Sequence, residues 1–282
     1  PYYQVARFAA PTLMAGNTVL LKHAEICPRS AEAIQAIIDE AIQATGVPAH
    51  LYTNIRATHD QVADLIADMR VQGVSLTGSE RAGRAVAATA GQNLKKALLE
   101  LGGTDAYIIL DTDDVEAAAD TAWGKRIANT GQACTSNKRI IVMEDIYDDF
   151  VDAMVRRAKA YQQGDPMNPE EEHFYPLSSR DAAEILDEQV KKAVEEGATL
   201  HTGGELTGDG AYFTPAVLTG VPVGSESYYT EFFGPVAEIY KVASEDEAVE
   251  VANNSNYGLG GAVFSQDEER AKKVANLSLI HI

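Results

Sequence analysis

Hydrophobic and polar positions follow two different periods along most of this chain. Short apolar runs bounded by turn residues predict buried strands, and apolar positions three or four residues apart predict amphipathic helices. In the first part of the chain the predicted strands are 18–22, a segment near Leu51, 74–77 and 97–99, and the predicted helices are 2–14, 28–45, 59–69 and a segment after Gly78. Strands and helices that alternate at this spacing predict a parallel sheet covered by helices on both faces.

The alternation starts again after the glycine pair Gly102-Gly103. The predicted strands are then 107–110, 139–143, 236–242 and 261–264, and the predicted helices are 113–125, 146–163, 179–196, 245–253 and one that begins at Asp267. Segment 164–176 is polar and rich in turn residues, which predicts a surface loop. We therefore expect two α/β lobes, one over residues 1–102 and the other over residues 103–282.

Composition and charge narrow the class of protein. The chain has 282 residues, of which 45% are hydrophobic and 23% charged, as in ordinary globular proteins with a buried core. A formal net charge of −19 repels phosphate backbones and anionic lipid, so we expect no nucleic acid or membrane partner. Two cysteines do not make a disulfide framework, which favours a reducing, cytoplasmic setting.

The two ends of the sequence are unusual. Pro1 and Tyr2 begin in the middle of a helical pattern without an initiator Met, and no secretory signal pattern is present. After the helix that begins at Asp267, segment 277–282 turns apolar and stops. We expect the natural chain to extend beyond both ends.

Two kinds of site have little support in the sequence. The six histidines form no His-Glu-x-x-His pair and no Cys-x-x-Cys occurs, so we expect no metal site. Segment 78–85 has the glycine spacing of a phosphate-binding P-loop, but it lacks the Lys and the Ser or Thr that bind phosphate and Mg²⁺. The sequence therefore argues against a nucleoside triphosphatase.

Two residues are candidates for covalent and acid-base chemistry. Cys134 lies in the polar, glycine-containing loop 129–134, where a thiol is accessible and has backbone donors nearby. Position alone leaves a structural and a catalytic role equally open. Glu100 ends an apolar strand and precedes two glycines, where partial desolvation would suit a general base. A carboxylate satisfied by loop amides is the alternative for Glu100.

Three segments carry a resemblance to a known family. Segments 100–103 (ELGG), 129–134 (NTGQAC) and 231–236 (EFFGPV) resemble the central signatures of the aldehyde dehydrogenase superfamily. Segments 19–25, 76–79 and 256–259 are similar to further motifs of that family. The separations of 34 residues from Glu100 to Cys134 and 131 residues from Glu100 to Glu231 also match the family. The resemblance implies an aldehyde dehydrogenase-like α/β fold with two Rossmann-type three-layer lobes, of which this chain holds a part.

The resemblance also implies a reaction. Cys134 would attack an aldehyde as the thiolate, and the thiohemiacetal would pass a hydride to a nicotinamide cofactor. Glu100 would then activate the water that hydrolyses the thioester. The oxyanion would be held by the backbone N–H of Cys134 and by an asparagine expected just before Pro1.

Two alternatives to this hydrolytic reaction stay open. Relatives that pass the acyl group to coenzyme A generally lack a Glu at the position of Glu100. An inert fragment that keeps the fold but has no activity is the other alternative.

The cofactor contacts implied by the resemblance are Lys22, Glu25, Gly78, Ser79, Gly83, Leu101, Glu231 and Phe233. Lys22 and Glu25 would hold the adenosine ribose, and the helix after Gly78 would face the pyrophosphate. Glu231 would hold the nicotinamide ribose beside Phe233. A carboxylate near the ribose disfavours a 2′-phosphate, so we expect NAD, with NADP also allowed.

Segments 2–7 and 22–24 look closest to the succinate-semialdehyde dehydrogenase branch. Arg7 matches an arginine that binds the distal carboxylate there, although an exposed helix charge is the alternative. Ala128 replaces a second arginine of some members, and Thr104 stands where many carry Lys. Another aliphatic or aromatic aldehyde therefore stays open as the substrate. The full-length protein is expected to be a homo-oligomer.

Overall fold

The computed structural model describes residues 2–208 and 210–278 in two compact units. The first unit ends at Leu101 and the second begins at Gly102, one residue from the predicted boundary. Pro1 and segment 279–282, which belong to the unusual ends noted in the sequence, lie outside the described residues.

The first unit consists of helices α1 (Tyr2–Met14), α2 (Pro28–Thr45), α3 (His59–Ala67) and α4 (Glu80–Gln92) and strands β1 (Val19–Lys22), β2 (Tyr52–Ile55), β3 (Gly73–Thr77) and β4 (Lys96–Glu100). β1 pairs in parallel with β2, and β3 pairs in parallel with β4. Local signals set the helix ends: Thr58 and Gln61 form a capping box at α3, and Gly46 ends α2 at a φ of 67°.

The second unit is built on one large sheet. Its helices are α5 (Val115–Ile127), α6 (Glu144–Ala160), α7 (Arg180–Glu195), α8 (Glu245–Asn253) and α9 (Glu268–Ala275), and its strands are β5 (Ala106–Ile109), β6 (Arg139–Met143), β7 (Gln162–Gln163), β8 (His173–Phe174), β9 (Thr199–Thr202), β10 (Leu206–Thr207), β11 (Tyr212–Phe213), β12 (Ala216–Thr219), β13 (Val236–Val242) and β14 (Gly261–Phe264). The sheet order is β14-β5-β6-β13-β12-β9, with every pair parallel except β12 with β9. This is the predicted α/β class.

The large sheet is covered on both faces because its central strands carry apolar side chains on both faces. In β6 the side chains of Ile140 and Val142 pack with Trp123 of α5 and with α6. Ile141 points to the opposite face and packs with Leu186 of α7 and with α8. Side chains that alternate in this way give three layers, with β6 and β13 in the middle.

Two sequence predictions in the second unit were wrong. The helix expected to reach Gln163 ends at Ala160, because Tyr161 turns into extended backbone and the next two residues form β7. β7 pairs with β8, so the segment expected to be a loop contains a strand. Strands β9 to β12 were not predicted, although Ala216, Val217 and Leu218 of β12 are fully buried beside β13.

Among residues 2–208 and 210–278, no helix is long and apolar enough to cross a membrane. The same residues contain no group of three or more His, Cys, Asp or Glu side chains placed to hold a metal ion.

Candidate functional site

Five of the predicted site residues come together in the first unit, where β3 leads into α4. The Ser79 hydroxyl accepts a hydrogen bond from a first-turn amide of α4 at 3.3 Å and so caps that helix. The amide of Gly78 donates to the carbonyl oxygen of Glu100 at 3.0 Å, which places the end of β4 beside the helix start. A Cβ on Gly83 would lie 2.7 Å from the methyl groups of Leu101, so a larger residue there would require the Leu101 side chain to shift.

Lys22 and Glu25 lie together elsewhere in the first unit. The Lys22 Nζ is 3.5 Å from Glu25 Oε1, and the side chain of Glu25 is 72% exposed. Both residues line a cavity of about 520 Å³, together with Arg56 and Thr58.

Arg7 lies on the exposed face of α1, with its guanidinium carbon 6.0 Å from the centre of the Tyr3 ring. It makes no ion pair with another described residue.

The loop that carries Cys134 has a strained backbone. After α5, a 3₁₀ turn spans Ala128–Gly131, and Asn129 and Thr130 both have a φ of 53°. Left-handed backbone at a β-branched residue costs about 1–3 kcal/mol, so the surroundings must hold it in place. Gly131 follows with a φ of 71°, and a Cβ there would overlap the carbonyl oxygen of Gly234.

Arg126 hydrogen-bonds to this loop from the buried end of α5. It is fully buried and donates to the carbonyl oxygens of Gly131 (2.9 Å), Phe232 (3.3 Å) and Gly234, and to Ser136 Oγ (2.9 Å). Burial lowers the pKa of Arg126 to about 10, which leaves it charged at neutral pH. The guanidinium therefore fastens the Cys134 loop to the segment that follows Glu231.

Lys138 makes the second connection between the same two segments. Its ammonium group is 1% exposed and lies 3.0 Å from the carbonyl oxygens of both Ala133 and Cys134 and 2.9 Å from Glu231 Oε1. Glu231 Oε1 also accepts the amide of Gly103 at 3.0 Å. Burial lowers the pKa of Lys138, and the charge of Glu231 opposes that shift.

Three predicted site residues of the second unit are therefore brought together. Cys134 is a free, partly buried cysteine, Glu231 is linked to its carbonyl oxygen through Lys138, and the Phe233 ring centre lies 5.8 Å from Lys138 Nζ. Phe233 is 43% exposed, so it is not part of the core of the second unit.

The sequence analysis missed Arg126 and Lys138. Arg126 follows the predicted helix 113–125, and Lys138 precedes the predicted strand 139–143. The available signal was the pair Lys138-Arg139 directly before the apolar run 140–142, because a cation next to a buried strand must find buried acceptors.

A buried charge cluster lies on the sheet beside this site. Arg139 donates to the carbonyl oxygens of Val251 (2.7 Å) and Ala252 (2.9 Å) and so caps the end of α8. Glu238 of β13 stands opposite Arg139 in the parallel register, and neither of its carboxylate oxygens hydrogen-bonds to a described residue. Burial raises the pKa of Glu238 to about 8, although the charges of Arg139 and Arg126 pull it down.

We expect Glu238→Gln to remove part of the pH dependence of stability. An unfolded Glu238 loses its proton near its ordinary pKa of 4.5, whereas the folded one keeps it until about pH 8. Its contribution is therefore complete below about pH 4.5, and it falls by up to about 1.4 kcal/mol per pH unit as the pH rises through this window. Urea unfolding at pH 5 and pH 8 measures the effect.

The variant should be more stable than the parent at pH 8 and close to it at pH 5. Glu144→Gln is the matched control, because Glu144 is exposed and should leave the parent's pH profile unchanged. A Glu238→Gln profile parallel to that of the parent would contradict the assignment.

Comparison with known proteins extends over almost the whole chain. Residues 1–278 match the aldehyde dehydrogenase family. The chain is 50% identical over 98% of its length to a succinate-semialdehyde dehydrogenase (NADP+) of Deinococcus radiodurans, and 40% identical over 98% of its length to one of Mycobacterium ulcerans. It covers 57% and 59% of those two proteins.

Solved structures give the same result. The structure is similar, with a TM-score of 0.92 and 48% identity, to a succinic semialdehyde dehydrogenase of Streptococcus pyogenes in complex with NADP+. It is also similar to a lactaldehyde dehydrogenase of Escherichia coli, with a TM-score of 0.91 and 34% identity. The similarity covers 99% and 98% of this chain, and 60% and 58% of those chains.

Proposed function

Because this chain belongs to the aldehyde dehydrogenase family, we propose that it is part of an enzyme that oxidises succinate semialdehyde to succinate with NADP+. The observation that carries the proposal is the fastening of the Cys134 loop to Glu231 by two buried cations, Arg126 and Lys138. A partly buried thiol on a backbone held in this way is suited to capture an electrophile in a fixed orientation.

In the proposed reaction, the Cys134 thiolate adds to the aldehyde carbon and forms a C–S bond. The backbone N–H of Cys134 stabilises the oxyanion that develops on the former carbonyl oxygen. Glu231 would hold the nicotinamide cofactor, which when bound would accept the hydride that leaves this carbon. Cys134 then carries a thioester. Glu100 takes a proton from water as the water oxygen attacks, and the C–S bond breaks to release the acid and restore the thiolate.

The remaining predicted residues would bind the cofactor. The capped start of α4 at Gly78 and Ser79 points backbone amides outward, which suits a pyrophosphate, and the contact of Gly83 with Leu101 keeps that turn tight. Glu231 would accept the hydroxyls of the nicotinamide ribose, and Phe233 would pack beside it.

NADP+ is favoured over NAD+ as the cofactor. The relatives at 50% and 40% identity are both named for NADP+. The expectation of NAD rested on Glu25, whose side chain is largely exposed and can turn away from a 2′-phosphate. Lys22 and Arg56 line the same cavity and supply positive charge to it.

For the substrate, we propose that Arg7 pairs with the distal carboxylate of succinate semialdehyde. Its exposed guanidinium has no carboxylate partner among the described residues, so its donors are available to a ligand. A bidentate arginine–carboxylate contact would distinguish this aldehyde from neutral ones of similar length.

We expect Arg7→Met to raise the KM for succinate semialdehyde by about 10–100-fold, the range that corresponds to losing a charge-assisted hydrogen bond. The KM for butyraldehyde should change less than about twofold, because that aldehyde has no carboxylate to lose a partner. NADPH formation with each aldehyde measures both values.

Arg70→Met is the matched control, since the Arg70 side chain is 86% exposed and pairs with Asp68 of the same turn. An equal loss with both aldehydes would show that Arg7 does not recognise the carboxylate. Turnover of butyraldehyde that exceeds turnover of succinate semialdehyde in the parent would contradict the proposed substrate.

A further inference from the structure

Lys138 has three hydrogen-bond acceptors for its three N–H groups, and all of them belong to the proposed site. Two are the successive carbonyl oxygens of Ala133 and Cys134, and the third is Glu231 Oε1. The ammonium group is almost completely buried, so water cannot replace an acceptor that moves away. A change in the charge or position of the Glu231 carboxylate therefore alters the interactions of Lys138 and, through Lys138, those of the Cys134 backbone.

We propose that Lys138 is a positioning residue that couples the Glu231 carboxylate to the nucleophile Cys134. Its ammonium group holds the Cys134 backbone in place through the carbonyl oxygen, while Glu231 offsets part of its charge. A ribose that hydrogen-bonds to Glu231 would weaken the ion pair between Glu231 and Lys138. The hydrogen bonds from Lys138 to the Cys134 loop would then become stronger. This inference deepens the proposed function, because it rests on Glu231 being the ribose ligand.

Glycine backbone on the other side of Glu231 limits how far its carboxylate can move. The amide of Gly103 donates to Oε1, and a Cβ on Gly102 would overlap Oε2. A Cβ on Gly103 would lie 2.9 Å from the carbonyl oxygen of Cys134. The carboxylate, the ammonium group and the Cys134 carbonyl are thus confined in one small space, where a charge on one group acts strongly on the others.

The test compares the alkylation rates of the two cysteines by iodoacetamide at one pH, read by mass spectrometry of their separate peptides. Cys27 lies in the first unit and serves as the internal reference. Lys138→Met should slow alkylation of Cys134 by about tenfold relative to Cys27, because the positive charge that holds the Cys134 backbone is lost. Lys138→Arg, which keeps the charge, should restore most of the rate.

Glu231→Gln provides the decisive comparison. In the parent background it should speed alkylation of Cys134 by about threefold, because the ammonium group then acts without its counter-charge. In the Lys138→Met background its effect should be clearly smaller, since most of the influence of Glu231 on Cys134 passes through Lys138. The control Lys241→Met, which breaks an exposed pair with Asp148, should leave both cysteines unchanged.

Equal effects of Glu231→Gln in both backgrounds would overturn the coupling, as would a Lys138→Met rate within about twofold of the parent. If Lys138→Met does not fold, Glu231→Gln in the parent decides: an unchanged Cys134 rate overturns the proposal. Calorimetric titration with NADP+ separates the two claims. Absence of binding to the parent would count against the proposed function, and the cofactor-free rates would still decide on Lys138.

Discussion

Arg126→Met is expected to lower the free energy of unfolding of the second unit by about 3–5 kcal/mol, because several buried hydrogen bonds from a charged donor are lost together. Methionine fills a similar volume but leaves the carbonyl oxygen of Gly131 without its donor. The carbonyl oxygens of Phe232 and Gly234 lose one of two donors and keep the amides of Gly234 and Val236. Each unsatisfied buried acceptor is costly, and the left-handed backbone of Thr130 loses the contact that holds it.

Denaturant unfolding followed by tryptophan fluorescence reports on the second unit, where the loss is expected. Trp123 is the single tryptophan of the chain and is buried on α5 of that unit. Arg156→Met is the matched control. Arg156 is 56% exposed in a surface pair with Glu116, so its loss should change stability by less than about 1 kcal/mol. A loss from Arg126→Met no larger than that of the control would contradict the proposed fastening of the loop.

Cys134→Ala is expected to reduce NADPH formation from succinate semialdehyde by about 10⁴-fold or more, the scale seen when a catalytic nucleophile is removed. Without the thiolate no thiohemiacetal forms, and hydride departure has no tetrahedral intermediate to start from. The fold should persist, since alanine fits wherever the partly buried cysteine did.

Cys27→Ala is the matched control for this prediction, because the chain has two cysteines and both are free. It should keep activity within about twofold of the parent, as for a substitution that touches no reacting group. Comparable losses from the two variants would mean that Cys134 is not the nucleophile.

The sequence predicted the central elements of the fold best where local and tertiary preferences agree. β6 and β13 were predicted with the bounds that the structure has, because both are rich in apolar and β-branched residues. β12 was missed, since its four residues, Ala216–Thr219, are too short to show a period. Its assignment depends on neighbouring strands that are distant in sequence.

The candidate site shows the same limit. Motif spacing identified Cys134, Glu231 and Phe233, and the structure brings them together in the second unit. Arg126 and Lys138 were not identified, because a positive charge in a sequence is usually solvated. Their burial depends on acceptors about 100 residues away, at Glu231 to Gly234, and no local pattern contains that information.

Glu238 shows why a predicted strand does not predict the state of its side chains. The alternation of β13 places it on a buried face, but its raised pKa follows from the loss of solvent between two arginines. Those arginines come from α5 and β6, so the electrostatic environment is set by packing rather than by β13 itself.

The most direct test of the central claim is to trap the acyl group on Cys134. In Glu100→Gln the water is not activated, so incubation with succinate semialdehyde and NADP+ should give one NADPH burst and then stop. Mass spectrometry of the quenched protein should find a succinyl group on the Cys134 peptide and none on the Cys27 peptide. A burst without a Cys134 adduct, or an adduct on Cys27, would contradict the proposal that Cys134 forms a thioester that Glu100 helps to hydrolyse.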